Sequence, residues 1–332
     1  MVVAGNSGLN RLFPDKRILM GKDMNRHVDL SIVIVNYNTA DFTAQCLDSI
    51  AANPPAGSYE IVVVDNASSD GSADRLEAQY PFIKLMRSSE NKGIAGGNNL
   101  GIQASSGRFI LLLNNDTLVL PGALDRVINF LDHHPDVGGA GGQLLNPDGS
   151  FQAGFVNFPS LLQEFLIVSK IGGIFRSYYP SHPPSDVVRE VDWMSTAFML
   201  FRREALEEVG LVDEEYFIYS DETDLEYRLR QAGWKIVYLP EVKTVHFGGK
   251  SLNPWRRRKM VYRGYLLFYH KHYERWKTLV LRGVLAGISA MKLPIWMIAY
   301  LLPVGRERAR NELVSNVEIL RMCVRPGIGP PG

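Results

Sequence analysis

The sequence predicts an α/β fold, a doubly wound and mostly parallel sheet with an apolar, basic helical appendage toward the C-terminal end. Two observations predict the sheet. Residues 30–35 and 60–64 are apolar, β-branched runs that end in polar residues and give way to a helical pattern. The stretch Arg108-Phe-Ile-Leu-Leu-Leu-Asn-Asn-Asp116 has strand length, is bounded by Gly107 and Pro121, and ends in two amides and a carboxylate. That is the pattern of a buried central strand whose carboxyl end can face a ligand. A third observation predicts the appendage. Residues 250–310 carry 14 Lys/Arg against Glu274 and Glu307, a net of +12, while the other residues hold 22 basic and 33 acidic groups, a net of −11. The formal total of +1 conceals this split, which suits an anionic surface.

Each element follows in order. Residues 1–28 lack the apolar core of a signal peptide and are expected to form a disordered leader. The first strand leads to Asn36-Tyr37-Asn38 and a helix through Ile50. The second leads to Asp65-Asn-Ala-Ser-Ser-Asp-Gly71 and a helix through Tyr80. Residues 83–86 make a third strand, followed by a glycine-rich loop over residues 91–99 and a helix; residues 109–113 make the fourth strand. Strand, loop and helix repeated in this way argue for a parallel, doubly wound sheet. Residues 137–158 are rich in Gly, Asn and Pro, and residues 171–187 are expected to be mobile. Strands are expected at 191–201, 235–239 and 243–246, and helices at 204–209 and 221–231. The only cysteines, Cys46 and Cys323, have no metal spacing and fit a reducing compartment.

Residues 279–305 are apolar apart from Arg282, Lys292 and two prolines, Pro294 and Pro303. The longest uncharged run, 293–305, falls short of the ~20 residues a membrane span needs. With basic residues on both sides, a helix or helical hairpin lying in the membrane interface is expected; packing against the main domain or a second copy is the alternative. So apolar a helix argues against nucleic acid.

Several residues can carry chemistry. Asp65 closes an apolar strand, where a carboxylate can accept hydrogen bonds from a base imide or a ribose hydroxyl, or cap the next helix. Asp116 suits a hard cation such as Mg²⁺ or Mn²⁺. Ser220-Asp-Glu-Thr-Asp224 opens a helix with three acids after the aromatic lead-in Tyr216-Phe-Ile-Tyr219. The helix dipole explains acids there, and a carboxylate held against an aromatic wall is also a candidate general base. His246 is a candidate metal ligand or phosphate donor, or simply structural.

Taken together and in order, Val-Asn-Tyr-Asn38, Val-Val-Asp-Asn-Ala-Ser-Ser-Asp-Gly71, Asn-Lys-Gly-Ile-Ala-Gly-Gly-Asn98, Leu-Asn-Asn-Asp116, Asp-Trp-Met-Ser-Thr-Ala-Phe198, Asp-Glu-Thr-Asp-Leu225 and His246 resemble glycosyltransferase family 2. These are inverting enzymes of GT-A fold, and the likeness is greatest to rhamnosyltransferase-type members that build bacterial surface polysaccharides. The resemblance implies a GT-A domain over residues 29–250 and a membrane-associating region over 251–332. It implies that Asn36, Tyr37, Asn38 and Asp65 hold the base, that Asn91, Gly93 and Asn98 line the ribose and diphosphate, and that Asn114 and Asn115 lie on the donor. Asp116 and His246 would ligate Mg²⁺ or Mn²⁺, Trp193 would form a sugar or acceptor wall, and Glu222 or its neighbour Asp221 would be the base. The family more often has Glu-Asp at this pair, and Asp at the position of Asn114. The implied reaction moves a hexose, L-rhamnose from dTDP-rhamnose, or a sugar from UDP, to a lipid-linked glycan. It would take place at the cytoplasmic face of the cell membrane, by a peripheral protein with a homodimer as an option. A non-catalytic nucleotide-sugar-binding subunit is the alternative.

Overall fold

The computed structural model of the chain describes residues 28–169, 186–248, 254–302 and 305–325. The expected leader lies outside them apart from Val28, whose carbonyl accepts the Arg108 N–H at 3.1 Å. The expected mobile stretch lies outside them up to residue 185.

The first half alternates as expected: β1 (Leu30–Asn36), α1 (Ala40–Ala52), β2 (Tyr59–Asp65), α2 (Ser72–Gln79), β3 (Lys84–Arg87), α3 (Gly93–Gln103) and β4 (Phe109–Asn114). β1 pairs in parallel with β2 and with β4, and β2 with β3. Both faces of β1 are covered. Ile32 and Ile34 pack with Leu47 and Ile50 of α1, and Val33 packs in the cluster that holds Ala95 and Ile102 of α3. Burial on both sides explains the unbroken apolar runs. The register sets Asn36 opposite Asp65 and Val35 opposite Asn114, so three strands deliver their polar ends to one edge.

The chain continues through β5 (Thr117–Val119), α4 (Ala123–His133), β6 (Val137–Leu145), β7 (Phe151–Gln152), β8 (Phe155–Val156) and α5 (Leu161–Ser169). After these come β9 (Arg189–Glu190), β10 (Trp193–Met194), β11 (Phe198–Arg202), α6 (Arg203–Val209), α7 (Asp221–Gln231) and β12 (Lys235–His246). The main sheet has the order β3-β2-β1-β4-β11-β6-β12-β5, with β7 beside β6 and β9 beside β12, while β8 and β10 form a separate pair. β11 is antiparallel to both β4 and β6.

Three sequence expectations change, and one stretch left without an expected element holds a strand. The glycine-rich segment is not a loop throughout, because α3 begins at Gly93. Its glycines let the helix sit on β1: a Cβ at Gly97 would stand 2.8 Å from Val35, and one at Gly101 2.3 Å from Val33. The Gly-rich stretch after residue 137 begins with a nine-residue buried strand, β6. A Cβ at Gly142 would meet the Val242 carbonyl oxygen at 2.1 Å, so close strand packing requires residues that mask strand propensity. The single strand expected over 191–201 divides into β10 and β11, since β10 leaves the main sheet to pair with β8. Conversely, the two strands expected at 235–246 are one, β12, with a register shift between Leu239 and Lys243 around Pro240.

Three helices complete the chain: α8 (Pro254–His272), α9 (Arg275–Leu301) and α10 (Arg306–Val324). A third core joins Tyr216 to Leu266–Tyr269 of α8, Leu281 and Leu285 of α9, and Ile319 of α10. α9 is one 27-residue helix that runs through Pro294, and by length and composition it is long and apolar enough to cross a membrane. Thr278, Leu281, Leu285 and Ser289 form its buried stripe, whereas Met291, Ile295, Ile298 and Leu301 are exposed. Part of the basic excess meets acids within the protein. Arg258 pairs with Glu312 at 2.7 Å, Lys259 with Glu318 at 3.3 Å, and Lys271 with Asp213 and Glu215.

Candidate functional site

The polar sheet edge is preorganised around Asp65, which is 3% exposed. Its Oδ1 accepts from Asn36 Nδ2 at 2.9 Å and its Oδ2 from the Ser68 N–H at 3.0 Å. A carboxylate offers about four lone-pair positions, so roughly two remain for a ligand. Asn36 is fully buried, and its Oδ1 accepts the Thr43 hydroxyl at 2.8 Å; its amide orients Asp65. Asn38 and Ala67 flank the carboxylate with φ of 53° and 63°, a strained backbone of the kind that gathers at ligand clamps. Tyr37 is 47% exposed, which leaves its ring face open for stacking.

Asn91 receives the Gly93 N–H at 2.9 Å and Asn66 Nδ2 at 3.0 Å, fixing the start of α3. Gly93 has φ 72°, and a Cβ there would strike the Phe217 carbonyl oxygen at 2.1 Å. The Ile94 N–H donates to that same oxygen at 2.8 Å. The start of α3, with the buried Asn98 on it, is thus docked on the aromatic lead-in of α7.

Asp116 and His246 meet across the β5–β12 pairing. His246 Nε2 lies 3.3 Å from Asp116 Oδ1, and the Phe247 N–H donates to the Asp116 carbonyl at 3.0 Å. His246 Nδ1 lies 2.6 Å from Gln152 Oε1, while Gln152 Nε2 donates to the His246 carbonyl at 3.2 Å and to Asn146 Oδ1 at 3.0 Å. With the Gln152 amide oriented this way, Nδ1 carries the hydrogen and Nε2 turns its lone pair toward the carboxylate. Two acceptors then face each other, an arrangement resolved by a shared cation or a proton. Among the described residues no third His, Cys, Asp or Glu joins them. Asn115 Nδ2 instead donates to the Thr39 and Thr43 hydroxyls at 2.6 and 3.1 Å, and Asn114 is the last residue of β4.

The third cluster opens α7. Tyr219 and Ser220 both have φ 66°, and three acids occupy the first turn. Asp224 is clamped by His272 Nε2 at 2.6 Å and Arg228 Nε at 2.8 Å. Although burial alone would raise its pKa, these partners hold it below the ordinary aspartate range. Asp221 is 3% exposed, and burial followed by the charge of Glu222 raises its pKa well above that range. The hydrogen bond between the two side chains raises Asp221 and lowers Glu222, so Asp221 is the better holder of a proton in the pair. Burial also raises Glu222, but the Asp221 hydrogen bond works in the opposite direction.

Glu222 lines a cavity of about 260 Å³ together with Trp193, Asn157, Ser195, Glu164 and Tyr265. Of the residues singled out in the sequence, the cavity gathers Glu222 and Trp193; Asp65, Asp116 and His246 are not in its wall. Trp193 Nε1 donates to the Asn157 carbonyl at 3.1 Å, which fixes the indole. The fully buried Glu226 accepts the Met194 N–H at 2.8 Å and holds β10 in place. Gln152, Glu164, Glu226 and Tyr265 were missed in the sequence. Glu164 alone left a signal, as the single acid in the apolar run Leu161-Leu-Gln-Glu-Phe-Leu-Ile-Val168.

Comparison with known proteins adds two kinds of likeness. The family model described as Glycosyl transferase family 2 matches residues 31–210. The N-acetylglucosaminyl-diphospho-decaprenol L-rhamnosyltransferase of Mycobacterium tuberculosis is 26% identical over 287 residues, covering 79% of this chain and 91% of that protein. The low-salt glycan biosynthesis hexosyltransferase Agl10 of Haloferax volcanii is 28% identical over 225 residues, 66% of this chain and 67% of that one. Among solved structures, the mannosyltransferase PcManGT from Pyrobaculum calidifontis, in complex with GDP-Man and Mn²⁺, superposes with a TM-score of 0.54 at 16% identity, over 91% of this chain and 88% of its own. GalNAc-T7 with UDP, GalNAc and Mn²⁺ gives 0.51 at 16% identity, over 73% and 50%. At such identities these two structures speak for the fold alone.

Proposed function

We propose that this chain, which belongs to glycosyl transferase family 2 and has its GT-A fold, is an inverting hexosyltransferase of cell-surface glycan synthesis. It moves L-rhamnose from dTDP-rhamnose to a hydroxyl of a lipid-linked glycan. The Mycobacterium tuberculosis relative, named for transfer of L-rhamnose to N-acetylglucosaminyl-diphospho-decaprenol and matched over 91% of its length, supports the sugar and the acceptor.

One observation carries the chemistry: Glu222 lines a cavity and is hydrogen-bonded to the buried Asp221 beside it. Inversion at the anomeric carbon needs a single base on the face opposite the leaving group. Glu222 takes the proton of the acceptor hydroxyl as its oxygen bonds to that carbon and the bond to the nucleoside diphosphate breaks. Asp221, the better proton holder of the pair, hydrogen-bonds Glu222 and orients it; it is the positioning partner. Trp193 offers its ring to an apolar sugar face. Asp65, fixed by Asn36 and Ser68, takes the imide of the base, and Tyr37 stacks on it.

Asp116 and His246 fit a divalent cation, since a cation satisfies their facing acceptor atoms and phosphate oxygens can complete the coordination. When bound there, Mg²⁺ or Mn²⁺ supplies charge neutralisation for the departing diphosphate. Residues 29–250 form the catalytic domain in this reading. Residues 251–332 bind the cytoplasmic membrane face peripherally through the exposed side of α9, which brings the lipid-linked acceptor to the cavity.

Nucleoside-diphosphate release from a panel of sugar nucleotides, with a short polyprenyl-diphospho-GlcNAc as acceptor and with or without EDTA, tests this. EDTA-sensitive release from dTDP-rhamnose is expected. Release from a UDP-sugar overturns the donor, and no release from any donor overturns the transferase reading.

A further inference from the structure

The cavity that holds Glu222 contains a second carboxyl the transfer chemistry does not use. Glu164, on α5, is 2% exposed and lines the same cavity wall. Its Oε2 is enclosed and has no hydrogen-bond partner among the described residues. Nearly all buried polar atoms in native proteins are satisfied, so an enclosed orphan on a cavity-lining residue marks a carboxyl with hydrogen-bonding capacity left for a partner entering that cavity. No ion pair with it is formed among the described residues. Tyr262, Tyr265 and Tyr269 of α8 are close enough to Glu164 to interact with it electrostatically. Tyr265 lines the cavity with both carboxyls, and the Tyr269 hydroxyl is without a partner among the described residues.

We propose that Glu164 is a second binding carboxyl of this site, which hydrogen-bonds an oxygen of the acceptor sugar from the α5 side while Glu222 faces the reacting hydroxyl. This rests on the transferase reading of Glu222. Burial pushes the Glu164 carboxyl up to about 8, so at neutral pH it carries a proton and donates. Its proton goes best to a strong acceptor oxygen, and an acetamido carbonyl is a stronger acceptor than a sugar hydroxyl. A carboxylate there would instead select hydroxyls and repel the diphosphate of the acceptor. A neutral acid in this place therefore discriminates for an acylated amino sugar next to the lipid diphosphate.

The full chain, with the donor that supports turnover, is assayed against short polyprenyl-diphospho-GlcNAc and its glucose counterpart. Glu164→Leu is expected to raise the KM for the GlcNAc acceptor roughly tenfold, the loss of one buried hydrogen bond. The donor KM stays unchanged, and preference over the glucose acceptor disappears. Glu164→Gln, still a neutral donor, restores the acceptor KM to within about threefold. An unchanged acceptor KM in Glu164→Leu, or equal impairment of the Leu and Gln variants, overturns the proposal. If Glu164→Leu does not fold, Glu164→Ala makes the same comparison against Glu164→Gln. A wild-type chain inactive with every donor defeats the transferase reading itself, which is a separate result.

Discussion

Gly264 of α8 lies directly against Ser220, so that a Cβ at position 264 would stand 2.6 Å from the Ser220 hydroxyl oxygen and 2.9 Å from the Tyr219 carbonyl oxygen. The C-terminal helices are therefore part of the site's construction. Tyr219 and Ser220 hold φ of 66° immediately before the acids of α7, and such strain persists only where the surroundings over-determine it. α8 supplies that surrounding, with the His272–Asp224 contact as a second tie between α8 and α7.

Gly264→Ala should thus act on catalysis as well as stability. Overpacking of this kind costs about 1–3 kcal/mol, and a displaced catalytic turn should lower kcat by roughly tenfold or more. Thermal melts and nucleotide-release kinetics on one preparation check both. An unchanged kcat beside a lowered Tm would confine α8 to a supporting role.

The two carboxyls that open α7 should separate by substitution. Glu222→Gln removes the base and should lower kcat by about 10²–10⁴-fold with donor affinity retained. Asp221→Asn keeps a neutral hydrogen-bond donor and should cost far less. Because burial raises Glu222, wild-type activity should rise with pH through a pKa above the ordinary glutamate value. A pH–rate profile of kcat/KM measures it, and equal losses in both variants would reverse the assignment of base and partner.

Glu164 makes a stability prediction that needs no substrate. Its folded pKa, about 8, lies above the ordinary 4.5, so folding retains a proton that the unfolded chain releases. The stabilising contribution is complete below pH 4.5 and is lost as pH rises through 8. Glu164→Gln removes this dependence, and its advantage over wild type should reach roughly 3 kcal/mol at pH 7. Denaturant unfolding at pH 4.5, 7 and 8.5 should show the gap opening, and a constant gap would mean that Glu164 is ionised in the folded protein.

Asp116→Ala and His246→Ala should each weaken Mn²⁺-dependent donor binding while leaving the fold intact, since both side chains sit at the end of the β5–β12 pairing. Calorimetric titration of nucleoside diphosphate with and without Mn²⁺ reads this. Metal-independent binding, equal in the wild type and both variants, would remove the cation from the pair.

The exposed face of α9 should bind membrane. Ile295→Glu with Ile298→Glu places two charges on residues 62% and 65% exposed, so the fold should survive while co-flotation with anionic vesicles falls. Wild-type flotation that is insensitive to both lipid charge and these substitutions would leave α9 for another partner.

Much of this architecture was legible in the chain because it is local. The strand runs ending in Asn36, Asp65 and Asn114 follow from burial on both faces of a parallel sheet. α7 spans residues 221–231 as the sequence predicts, since its acidic first turn and the stop at Gly233 are signals within a few residues. The glycines were misleading for the same reason. Local chemistry makes Gly97 and Gly142 look like loop residues, whereas their role is the close approach of Val35 and of Val242, far away in the chain.

The sequence by itself determined the layering of the sheet domain, the polar strand ends and the acids that open α7. Only the tertiary structure decided that α9 continues through Pro294 as one helix, with its buried stripe turned to the core and its apolar remainder outside. It likewise decided that His246 aims a lone pair at Asp116, because Gln152, 94 positions away, sets the imidazole tautomer. Glu164 and Glu222 share one cavity for a similar reason: α5, α7 and α8 close around it. Periodicity and capping act over one or two turns of chain. Proton placement and cavity walls depend on burial and on neighbours that only the packed fold brings within a few ångströms.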